Sequence, residues 1–72
     1  MTHMDTSSQP SGTIDQALRI VAEHLSHAQR SHELALRLQA QGQTEAARQQ
    51  SRMTRVFLHN ALHRIDRHAP PV

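Results

Sequence analysis

At 72 residues, with no cysteine, one aromatic side chain and a net charge of +2 at pH 7, the chain is a single domain near the lower limit for burying its own core. The missing cysteine excludes disulfide staples and thiolate chemistry, and the lone Phe57 excludes the stacked aromatic platform of single-strand nucleic-acid binders. Every basic residue is arginine, a usage expected of a small bacterial or phage protein from a GC-rich genome; with neither a secretory leader nor an apolar span in view, a soluble cytoplasmic protein with no membrane contact is expected.

Residues 1–12 are small, polar and interrupted by Pro10 and Gly12, so a disordered N-terminal tail is expected. Thr13 reads as a helix N-cap with Gln16 completing a capping box, and Asp15 suits the positive end of the helix dipole. From Ile14 to Gln41 no proline or glycine intervenes, and alanine, leucine, glutamine and arginine favour helix throughout. The first helix is therefore expected over about 14–41, stopped by Gly42 in a left-handed C′ position. Thr44 reads as the cap of a second helix over about 45–68, with Glu45 in its first turn. Pro70 and Pro71 forbid continuation, leaving 69–72 as a C-terminal tail. No stretch alternates with a period of two. Two helices of about 42 and 36 Å with so short a connection must lie antiparallel. The expected fold is all-α, a two-helix hairpin over 13–68.

In the first helix Ile14, Leu18, Val21, Leu25, Ala28, His32, Ala35 and Gln39 follow the 3-4 spacing of a packing seam. In the second, Ala47, Gln50, Thr54, Phe57, Ala61 and Ile65 do the same, flanked by Met53, Leu58 and Leu62. Folding at Gly42 pairs positions whose numbers add to about 86, so Val21 meets Ile65, Leu25 meets Ala61 and Ala28 meets Phe57, large against small as close packing requires. His32 then sits on the seam, within reach of Thr54. A second 3-4 stripe on the first helix, containing Ala17, Ile20, His24, His27, Ser31, Leu34 and Leu38, is left over. A lone hairpin leaves Ile20, Leu34 and Leu38 wet, which makes them the candidate dimer interface. Dimerisation into a four-helix bundle is expected to cover them.

The charge is uneven. Residues 14–41 balance Arg19, Arg30 and Arg37 against Asp15, Glu23 and Glu33, whereas residues 45–68 set five arginines against Glu45 and Asp66. Arg48, Arg52, Arg55, His59, His63 and Arg67 step by three or four and share one face of the second helix. That face can grip phosphates or an acidic protein surface; it is equally what a solvated helix face looks like. His59 and His63, with Asp66 three further on, have a spacing that can present metal ligands, and His24 and His27 form a second pair with Glu23 near His27. No His-Glu-x-x-His pattern accompanies them, so no metal and no cofactor is expected. Catalysis needs a nucleophile and base in a concave pocket, and nothing in the sequence supplies them.

The expected function is therefore a non-enzymatic protein–protein interaction module, a regulator, inhibitor or adaptor acting as a homodimer on a further protein partner. The alternative is a charge-driven binder of structured RNA or duplex through the arginine stripe. In outline that alternative is similar to the small plasmid-encoded RNA modulators, which are also antiparallel hairpin dimers; the likeness covers architecture and no residue motif.

Overall fold

A run without glycine or proline from residue 14 to 41, followed by a single glycine, should give one long helix and a sharp reversal. The computed structural model describes residues 4–69, with side chains from residue 14 onward, and has that form: α1 (Met4–Ala40) and α2 (Thr44–His68) pack against each other. Residues 1–3 and 70–72, at the two expected tails, lie outside the described residues.

The reversal is a Schellman motif. Gly42 adopts φ 79°, the Gln43 N–H donates to the Leu38 carbonyl at 2.9 Å and the Gly42 N–H to the Gln39 carbonyl at 3.0 Å, which satisfies two of the orphan carbonyls at the helix end. A Cβ on Gly42 would meet nothing within 4 Å, so the glycine is required by its backbone angle and not by crowding.

Three boundary expectations are corrected. The first concerns the start of α1, which is Met4, not about 14; the helix runs through Pro10 and Gly12, and Thr13 is an interior position. Once a helix is nucleated downstream, extension costs less than initiation, although a proline inside a helix forfeits an N–H bond and crowds the preceding turn. Reading proline and glycine as stops misses this. Second, α1 ends at Ala40, and Gln41 belongs to the turn. Third, α2 starts at Thr44 with Gln43 in the cap position, and no side chain caps it. The tight turn has already placed the Gln43 carbonyl to accept the Ala47 N–H at 3.0 Å. The C-terminal end at His68 is as expected, closed by the Ala69 N–H on the Ile65 carbonyl.

The register is close to expectation. Ser31 Oγ lies 2.7 Å from Thr54 Oγ1, and the His27 and Phe57 rings stack with centroids 5.1 Å apart, so facing positions add to 84 or 85. The packing face of α2 is also as expected, with Ala47 and Ala61 buried and Gln50, Thr54, Phe57 and Ile65 half-buried.

The packing face of α1 is not. Val21, Ala28, Ser31 and Ala35 are buried and Ala17, Ile20, His24, Leu34 and Leu38 half-buried, while Ile14, Leu18, Leu25, His32 and Gln39 are exposed. The face presented to α2 is thus rotated by roughly a sixth of a turn from the expected seam, into the second stripe. Small side chains explain the rotation. Alanine and serine at the line of contact let two helices approach more closely than leucine does, and Ala28, Ser31, Ala35, Ala47 and Ala61 form such a line. Leu25, expected on Ala61, is exposed, and Phe57 is half-buried and stacked on His27.

Candidate interaction faces

The rotation determines what is left uncovered. The seam buries one valine and four alanines among the described residues, and no large side chain is fully buried. On one flank of the seam Leu18, Leu25 and Leu36 of α1 run alongside Leu58 and Leu62 of α2, each 46–59% exposed. Shallow grooves join the two rows. Leu25, Ala28, Gln29 and His32 line one of them opposite Thr54 and Leu58, and His32, Ala35, Leu36 and Gln39 line another opposite Ala47, Arg48 and Ser51. Exposed apolar patches of this kind are common sites of association in proteins. Ile20, Leu34 and Leu38, the expected dimer interface, are on the other flank and half-buried. The hairpin itself already covers much of them, which removes the ground on which they were chosen.

The margins of the leucine flank carry charge. On the α2 side Arg48 and Arg55 reach its grooves, and His59 joins Arg55 beside Leu58 and Leu62. On the α1 side Gln29 lines the groove and its Nε2 donates to Glu33 Oε2 at 3.3 Å, which places Glu33 at the edge. Further along α1 the exposed Asp15 and Arg19 pair at 2.8 Å.

The other flank is smaller and more polar. Ser31, Gln50, Met53 and Phe57 meet there with Arg52. At its base the Ser31 and Thr54 hydroxyls lie within reach of the Ala28 and Gln50 carbonyls at 3.1 and 3.0 Å. Each hydroxyl has one proton, so one donates across the seam while the other donates to its own helix. Thr54 therefore bonds Ser31, not the expected His32, which is exposed. His27 accepts from Arg30 at 2.8 Å through Nδ1 where Glu23 was the expected neighbour.

Arg48, Arg52, Arg55, His59, His63 and Arg67 are all exposed, with Arg48 and Arg55 at the edge of the leucine flank and Arg52 at the edge of the other. Arg48 reaches Glu45 at 3.5 Å; among the described residues the other three arginines of this row are in no ion pair. Arg64, not part of the row, is half-buried. His59, His63 and Asp66 are on α2, but among the described residues no three histidine or acidic side chains come together in a way that could hold a metal ion. Among those residues, too, no helix is long and apolar enough to cross a membrane.

No protein-family model matches this chain, and neither a curated protein nor a solved structure matches it significantly.

Proposed function

We propose that this chain is a non-enzymatic protein–protein interaction module of the cytoplasm, a regulator, inhibitor or adaptor that works as a homodimeric four-helix bundle. One observation carries the reading: the hairpin buries only small apolar side chains in its seam and leaves five leucines, from both helices, about half exposed on a single flank. Full burial of a leucine is worth about 1.5–3 kcal/mol, so covering the flank contributes on the order of 5 kcal/mol per copy. A flat face of two parallel ridges is the shape another helical hairpin fits. The smaller flank and the back of α2 are then free for a further protein.

Sedimentation of the intact chain tests this directly. A dimer is expected at low micromolar concentration, and Leu25→Glu combined with Leu58→Glu should convert it to monomer. A folded monomer of the unsubstituted chain at those concentrations would overturn the reading.

The arginine row favours a second reading, a charge-driven binder of structured RNA or duplex, because Arg52, Arg55 and Arg67 are exposed and in no ion pair among the described residues. If they contact phosphates, affinity falls steeply with salt, and Arg52→Ala with Arg55→Ala flattens that slope by about one unit per arginine. Binding tighter than micromolar at about 150 mM salt would make this the primary function. The row has no asparagine or aromatic residue interleaved for base readout, so weak, sequence-independent binding is expected.

A further inference from the structure

Resting on the reading that a second copy covers the leucine flank, we infer that the two-fold axis runs along the bundle, so that α1 lies across α2 of the partner and Glu33 faces the partner's Arg48 and Arg55. Two hairpins stacked flank on flank with aligned helices have two symmetric choices. An axis along the helices sets α1 over the partner's α2. An axis across the helices sets like over like, α1 on α1 and α2 on α2.

Charge at the margins separates the two. On the α1 margin Asp15 is paired with Arg19, while among the described residues Glu33 is in no ion pair; on the α2 margin Arg48 and Arg55 reach the grooves. Like over like at full overlap would bring Arg55, near the middle of α2, close to its own copy, and such juxtaposition disfavours an arrangement. α1 over α2 sets Glu33 beside the partner's arginines instead.

The register sharpens this. Facing positions add to 84 or 85, and an axis along the bundle leaves heights unchanged. Glu33 therefore stands level with residue 52 of the partner, between its two groove-side arginines. Arg19 stands level with the one acid on the far part of that margin, the partner's Asp66. Within one chain the two helices separate these groups, and among the described residues Glu33 and Arg55 are in no ion pair. The area also suffices. A face two helices wide at about 9 Å spacing and some 36 Å long offers roughly 700 Å² per copy, close to the ~800 Å² of a standard stable interface.

The absence of cysteine from the sequence gives a clean test. Leu25→Cys and Leu58→Cys are made in separate chains, shown by sedimentation to remain dimeric, and oxidised alone and mixed. With α1 over the partner's α2, the mixture forms a disulfide-linked heterodimer and neither variant links to itself. Self-linked dimers of either variant, or no link from dimeric chains, would overturn the arrangement while leaving the homodimer intact. A monomeric unsubstituted chain would overturn both. The charges give a second readout. E33R and R55E should each weaken the dimer roughly tenfold at low salt, since each change acts twice in a symmetric pair, and the double variant should recover most of the loss. Equal additive losses in the double variant would also overturn the arrangement.

Discussion

Ala61 and Leu62 are neighbours in α2, yet the first is 2% exposed and the second 57%. That contrast extends over the whole hairpin. The closed seam is built from alanines, a serine and one valine, side chains with little surface to remove from water, and the leucines stand one position round the helix on the open flank. A buried methyl contributes about 0.8 kcal/mol, a fully buried leucine two to four times that. The seam thus determines how closely the helices approach but supplies little of the apolar burial a stable domain needs. The five leucines of the flank keep about half of their surface in water, and the proposed dimer would gain its burial there.

The sharpest way to break the comparison is to exchange sizes across it. Ala61→Leu should cost up to about 3 kcal/mol, because a larger side chain at a close helix crossing forces the helices apart. The loss should appear in chemical denaturation at every protein concentration. Leu62→Ala should instead show a loss that shrinks as the chain is diluted to monomer. Equal, concentration-independent losses at both positions would mean that seam and flank do not differ as described.

Phe57 sharpens the contrast from the other side. It is the only large ring, but it is half-buried and stacked on His27, so Phe57→Ala should cost about 2 kcal/mol, less than the 3–5 kcal/mol typical of a fully buried ring. A measured loss of about 4 kcal/mol would show that the ring is a true core residue. The smallest expected effect tests the turn that holds seam and flank in register. Gly42→Ala should cost about 1 kcal/mol by thermal unfolding, since alanine must adopt the left-handed angle with no steric contact to aggravate it. No measurable loss would argue against the Schellman geometry.

The legible parts of the fold are those with a local cause. Gly42 is the only glycine near the middle of the chain, and the left-handed turn requires it. The packing face of α2 was legible because its small and apolar residues, Ala47, Thr54, Phe57 and Ala61, fall in one row with arginines opposite. The arginine row was legible for the same reason, since helical spacing alone places Arg48, Arg52 and Arg55 outside the seam. The N-terminal limit of α1 at Met4 was not, because Pro10 and Gly12 read locally as helix breakers.

The sequence by itself determined two helices, their antiparallel reversal and a register within a residue or two, since backbone angles and hydrophobic period are properties of the chain near each residue. It left α1 with two apolar stripes of similar strength, one through Leu18 and Leu25 and one through Ile20 and Leu34, and periodicity has no means to choose between them. Only the tertiary structure decided. Ala28, Ser31 and Ala35 are the positions of α1 buried against α2, and that line lies between the stripes. Close approach there half-covers Ile20, Leu34 and Leu38 and turns Leu18, Leu25 and Leu36 outward. The choice depends on the shape of both helices at once, which is why the candidate interface moved to the opposite flank from the one that periodicity alone suggests.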